Sequence, residues 1–89
     1  MNSQITDDFL ECFQRLPGTV REQARKAYRL WRSNPRHPSL HFKRIHSTEP
    51  LYSVRVGLGW RVVGLLEGDT MTWSWIGSHA EYDRLVANL

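Results

Sequence analysis

Arg55, Arg61, His79 and Tyr82 are the residues of this chain best suited to chemistry at a phosphate. The planar guanidinium of an arginine matches phosphate oxygens and keeps its charge throughout the physiological range. A histidine accepts or donates a proton near neutrality. RNA is cut without a metal when its 2′-hydroxyl attacks the adjacent phosphorus. That reaction needs a base, an acid and positive charge for the developing phosphorane. In such a scheme Arg61 and Arg55 supply the charge, His79 moves the proton, and Tyr82 orients the nucleophile or donates a hydrogen bond. Lys43 and Arg44 are candidates for a flanking phosphate. Trp60 is a candidate for a base, because readers of single-stranded RNA stack bases on aromatic rings.

Each of these residues also has a plain structural reading. Trp60 can pack in the core or at its rim. His79 stands at the first position of a predicted helix and can serve its start. Tyr82 falls on the apolar stripe of that helix. Arg61 lies between apolar residues of a predicted strand, where an unpaired charge would be expensive to bury, so a paired or functional arginine is expected there.

Other chemistries find little support. His37, His41, His46 and His79 show no metal-ligand spacing, and Cys12 is the only cysteine. No glycine-rich phosphate loop or nucleophile elbow occurs, so no metal and no other cofactor is expected. One cysteine permits no intrachain disulfide, which fits a reducing compartment, and Cys12 reads as a small, partly buried hydrophobe. No run approaches membrane-spanning length and no signal segment opens the chain, so a cytoplasmic location is expected. The formal charge of +3 and pI of about 9.5 permit an anionic partner without demanding one. Arg21, Arg25, Arg29 and Arg32 recur at spacings of three and four along one helix side. They form either a solvated face or an electrostatic surface for nucleic acid.

The elements that must position these residues follow from periodicity. Tyr52–Val56, Trp60–Leu66 and Met71–Ile76 are apolar runs separated by Gly57-Leu58-Gly59 and Glu67-Gly68-Asp69, the pattern of a strand meander. Leu40–Ile45 reads as a further strand. Thr6 caps a first helix with Phe9, Leu10, Phe13 and Leu16 on one face, and Pro17-Gly18 ends it. Thr19 and Glu22 read as the capping box of a second helix with a Val20, Ala24, Ala27, Tyr28, Trp31 stripe. Ser33–Ser39, with two prolines, is a rigid loop. Ser78 and Glu81 form the capping box of a last helix. The expected architecture is one α+β domain over residues 1–89: an N-terminal helix hairpin packed on a twisted four-stranded antiparallel sheet, with a C-terminal helix. The helices cover one sheet face, and the other is left partly open as a cleft holding Arg61.

The strand-borne Arg61 after Gly57-Leu58-Gly59-Trp60, together with Ile76-Gly77-Ser78-His79-Ala80-Glu81-Tyr82, resembles the RelE/ParE superfamily, the toxins of bacterial type II toxin–antitoxin pairs. Leu16-Pro17, Asn34-Pro35, Pro38-Ser39-Leu40 and Phe42-Lys43 fit the same pattern, so the likeness covers most of the chain. The resemblance implies a RelE-like α+β fold, a cognate antitoxin as partner, and a metal-independent endoribonuclease acting on mRNA at the ribosome. Arg55, Arg61, His79 and Tyr82 match the family's catalytic set in kind, while Ser53 stands where some RelE toxins carry a second lysine. The alternatives are a ParE-like inhibitor of DNA gyrase, or an inactive module that binds antitoxin or nucleic acid. The oligomeric state is left open by the sequence.

Overall fold

A computed structural model describes residues 1–89. Its elements run β1 (Asn2–Ile5), α1 (Asp7–Gln14), α2 (Gly18–Ser33), a 3-10 turn (Pro38–Leu40), β2 (Lys43–Arg44), β3 (Leu51–Val56), β4 (Trp60–Glu67), β5 (Thr70–Ser78) and α3 (His79–Ala87). The strands form one five-stranded sheet in the order β1-β5-β4-β3-β2. The meander β3–β4–β5 is antiparallel, as the alternating runs imply, and β2 joins β3 antiparallel.

The strand absent from the sequence reading is β1, which pairs parallel to β5 from Asn2↔Thr70 to Ile5↔Trp73. Its residues, Asn-Ser-Gln-Ile, carry little strand propensity. The exposed edge of β5 templates them, and pairing outweighs local preference. Asn2 N–H donates to Asp69 O at 2.7 Å and Gln4 Nε2 to Thr72 Oγ1 at 2.9 Å, so the strand is pinned along its length.

Two helix starts behave differently. Thr6 caps α1 as expected, its hydroxyl accepting from Phe9 N–H at 3.1 Å. The Thr19–Glu22 box does not form. Here α2 begins two residues earlier, at Gly18, with Pro17 in place of Thr19 as its cap. The Pro17 carbonyl accepts from both Val20 and Arg21 N–H, and the Arg21 guanidinium closes the preceding turn on Leu16 O at 2.6 Å. The expected strand over Leu40–Ile45 is likewise shortened. Pro38 starts a 3-10 turn, a position that suits its fixed φ, and His41 follows in the left-handed region at φ 44°. The turn buries Leu40 in the core, so pairing begins only at Lys43.

The core lies between the sheet and the N-terminal helices. Trp31 of α2 stands edge-on to Trp73 of β5, ring centroids 5.0 Å apart, and edge-on to Phe42 at 6.1 Å. Val54, Val62, Met71 and Ile76 complete it. A β-bulge in β5 makes this possible. Val63 pairs with Trp75 but Gly64 pairs with Trp73, so Ser74 is the extra residue. The insertion lets Trp73 and Ile76 face the same helices. Gly64 is needed opposite Trp73: a Cβ there would lie 2.7 Å from the Trp73 ring and 2.9 Å from Met71 Sδ.

The second sheet face departs from the expected open cleft. α3 folds back across β4 and β5 and covers Ser53, Arg61 and Val63, which are all buried. Tyr82 is the cause: it is the buried residue of α3 and reaches across to β3. Ser78 and Glu81 form the predicted capping box at this helix start, and His79 N–H donates to Gly59 O at 2.8 Å.

Candidate functional site

Strand alternation assigns side chains to the two faces. Val54 and Val62 face the N-terminal helices, so Ser53, Arg55, Arg61 and Val63 face α3. The register Lys43↔Ser53↔Val63↔Trp75 and Arg55↔Arg61↔Gly77 lays out this second face as a lattice of cross-strand neighbours.

Arg61 is its centre. It is only 7% exposed, and its guanidinium sits over the Tyr82 ring, 5.2 Å from the centroid. No carboxylate pairs with it, and its Nη1 has no hydrogen-bond partner. A buried cation without a counter-ion is costly, because low dielectric penalises unpaired charge. The ring quadrupole of Tyr82 offsets part of that cost. Tyr82, 5% exposed, donates its hydroxyl to Ser53 Oγ at 3.1 Å.

His79 stands next in this row. Its ring lies 6.0 Å from that of Tyr82 and its side chain is about half exposed. Nε2 lies 3.5 Å from Asp83 Oδ1, one helical turn on. A carboxylate beside Nε2 favours the tautomer protonated there, which leaves Nδ1 as the proton acceptor. Glu81 nearby accepts from Ser78 N–H and Ser78 Oγ, at 3.0 and 2.9 Å. These two bonds, backbone first, hold its carboxyl below the ordinary carboxylate range, and Arg84 adds to the effect.

The fold thus brings Arg61, Tyr82 and His79 together, with Lys43 exposed on the same face. It sends the remaining candidates elsewhere. Arg55 turns to the end of its strand, Nε donating to Gly57 O at 2.9 Å and Nη1 lying 3.2 Å from His41 Nε2. Arg44 braces the loop before β3: its guanidinium donates to the carbonyls of His46, Thr48 and Glu49. Trp60, opposite Val56 and Ser78, packs against the helix-side core.

Three participants escaped the sequence reading. Ser53 is the buried acceptor for Tyr82, a role that neither its place on the Arg61 side of the alternation nor its standing in for a lysine of some RelE toxins announced. Asp83 is four residues from His79, a spacing that places both on one helix face. Trp75 lies across Gly77, where a Cβ would fall 2.5 Å from its ring, and so borders Arg61 on the sheet. The bulge at Ser74 hid its orientation. No three His, Cys, Asp or Glu side chains converge in a geometry that could hold a metal ion, and no helix is long and apolar enough to cross a membrane.

Solved structures share this arrangement of helices and sheet. RelE in a RelB–RelE antitoxin–toxin complex from Methanococcus jannaschii superposes with a TM-score of 0.71 at 22% identity, covering 90% of this chain and 95% of that one. YafQ from E. coli strain BL21(DE3) gives 0.71 at 12% identity, with 91% and 96% covered. The isolated E. coli RelE toxin gives 0.68 at 17% identity, with 99% and 98% covered. Among curated proteins no sequence matches. The ParE-like toxin domain model matches residues 19–84, from the second helix through the Arg61–Tyr82 pair, and the chain belongs to that family.

Proposed function

We propose that this protein is the toxin of a toxin–antitoxin pair and acts as an mRNA endoribonuclease of the RelE kind, without a metal and on the ribosome. The observation that carries the reading is the row Arg61–Tyr82–His79, in which one tyrosine ring lies between a cation without a counter-ion and a histidine able to move a proton. An anion is the missing partner of Arg61, and a scissile phosphate supplies one.

In the reaction the RNA 2′-oxygen bonds to phosphorus, and the phosphorus–5′-oxygen bond breaks. The products are a 2′,3′-cyclic phosphate and a 5′-hydroxyl. His79 Nδ1 takes the proton of the 2′-hydroxyl, and a solvent water gives one to the leaving 5′-oxygen. Arg61 faces the charge that develops on the phosphorane, where a two-pronged guanidinium acts most strongly. Tyr82 covers Arg61 at rest, so substrate entry requires the ring and its helix to shift aside. An antitoxin partner fits the same reading, since the RelE neighbours from M. jannaschii and E. coli were solved as antitoxin–toxin complexes.

Primer extension on translated mRNA tests this. Arg61→Ala should lower cleavage by ~10²–10³, the usual loss for one positioned charge donor. Arg61→Lys should recover little of it. His79→Ala should lose ~10²–10⁴ if the imidazole moves the proton. Equal cleavage by all three overturns the site.

A second reading is favoured by one observation. Arg61 is covered by α3, so the resting surface presents no open cleft at Arg61. A ParE-like inhibitor of DNA gyrase needs no such cleft. Growth arrest that survives Arg61→Ala, together with inhibited supercoiling by purified gyrase, selects this reading.

A further inference from the structure

Arg55 is the cation of the second face that does not join Arg61. It enters instead a cleft of about 360 Å³ between α2, the 3-10 turn and the β3–β4 turn. Lys26 of α2 lines the same cleft, as do the polar side chains of Gln23 and Ser39. No aspartate or glutamate lines it, and Lys26 makes no ion pair anywhere in the molecule. Two positive charges therefore share a concave, carboxylate-free space.

The cleft is also built rather than incidental. Arg55 is held by Gly57 O and His41 Nε2, which leaves the rest of its guanidinium free to donate. His41 adopts φ 44°, a conformation uncommon outside glycine, and this backbone brings its ring to Arg55. Gly57 at φ 57° lies so close to Gln23 that a Cβ would sit 2.8 Å from Gln23 Oε1. The turn thus lies against the Gln23 side chain of α2.

We propose that this cleft is a phosphate-binding subsite in which Arg55 and Lys26 hold one backbone phosphate of a single-stranded RNA. A guanidinium fork and an ammonium point charge are complementary ways of gripping a phosphate. Phosphate esters also occur in free nucleotides, and the cleft's charges alone accept either. The strand assignment rests on the nuclease reading above, since Arg55 and Arg61 are cross-strand partners and one strand can run from the Arg61 face past the end of β3.

Titration of ¹⁵N-labelled protein distinguishes the cases. The probes are a 2′-O-methyl RNA octamer, which has no attacking hydroxyl, and ADP. With the octamer, the Arg55 Nε–H signal and the Ser39 and Leu58 amides should shift and saturate. Lys26→Gln should weaken octamer binding at least threefold and flatten its log–log salt dependence by ~0.7, the value of one phosphate contact on a single strand. ADP should act at the same signals, but more weakly. Arg61→Ala should leave ADP binding at the cleft unchanged. Shifts that never saturate, silent cleft signals while the octamer binds elsewhere, or equal affinity in Lys26→Gln would overturn the subsite. Saturation by ADP alone would overturn its assignment to a strand. Cleavage of translated mRNA is read separately. A protein that fails to cleave yet binds the octamer at these signals loses the nuclease reading and keeps the subsite.

Discussion

The Arg61 guanidinium rests on the face of Tyr82, 5.2 Å from the ring centroid, and the Tyr82 hydroxyl is tied to Ser53 on the next strand. One residue of α3 thus shields a buried charge and fastens its own helix to the sheet.

The shielded charge is expensive to keep. Arg61→Met retains the aliphatic volume and removes the unpartnered cation, so it should stabilise the fold by about 1 kcal/mol despite losing the contact with the ring. The same variant should arrest no growth. Urea denaturation gives the first quantity and induced expression the second. A stability loss above about 1 kcal/mol would mean that Arg61 is structurally paired after all.

The fastening can be cut without touching the charge. Tyr82→Phe leaves the ring over Arg61 but strands the buried Ser53 hydroxyl, and should cost about 1–2 kcal/mol. Ser53→Ala alone, with Tyr82 retained, should cost a similar amount. The double variant should cost less than the sum, because the remaining groups are then both apolar. Strict additivity in denaturation would show that the two hydroxyls do not interact.

Gly64 is a packing requirement rather than a flexible point. Gly64→Ala places a methyl against Trp73 and Met71, with the Thr72 carbonyl 3.0 Å behind it. The expected cost is about 1–3 kcal/mol. Gly68→Ala, in a turn with no neighbour within reach of a Cβ but with φ 59°, gives a contrasting strain without crowding. Near-ultraviolet circular dichroism should register only the first, through the displaced Trp73.

Acid should loosen α3 through Glu81. Its carboxyl is held below the ordinary range by the Ser78 backbone and then by the Ser78 hydroxyl. A lowered folded value means that the unfolded chain takes up the proton first as pH falls. The stabilisation is therefore fully present above the ordinary carboxylate range and is lost as pH drops through the lowered folded value. Glu81 is largely exposed, so the effect is small and salt-sensitive. Amide exchange in α3, compared between wild type and Glu81→Gln, should differ at pH ~6 and converge once the pH has fallen below the lowered folded value, where both side chains are neutral. A difference that persists at low pH would rule out the carboxylate as its source.

The sequence was most legible where local signals agreed with tertiary packing. The β3–β4–β5 meander announced itself through alternation and glycine turns, and α3 through Ser78 and Glu81. Thr6 marked α1 for the same reason. The chain was illegible where a neighbour decides the outcome. Asn2–Ile5 becomes a strand only because the edge of β5 is available. Thr19 lost its capping role to Pro17, whose carbonyl already sits at the helix start. Of the candidate residues, Arg61, Tyr82 and His79 could be grouped by their places on strand and helix. The divergence of Arg55 towards His41 could not, because it depends on a left-handed residue fourteen positions earlier. The covering of Arg61 was missed because spacing gives the stripe of α3 but not the sheet face on which it lies.

The extra residue in β5 acts as a phase shift in an otherwise two-beat strand. Upstream of Ser74 the odd-numbered Met71 and Trp73 point to the helix layer; downstream the even-numbered Ile76 does. Core and site are consequently locked to one insertion. Laid out in plain alternation without the bulge, the same residues would set Gly77 in the core and turn Ile76 towards Arg61, whereas deleting Ser74 would restore the two-beat pattern with both faces kept. The bulge is thus a digital device: with it both faces are served, and without it every side chain that follows is reversed.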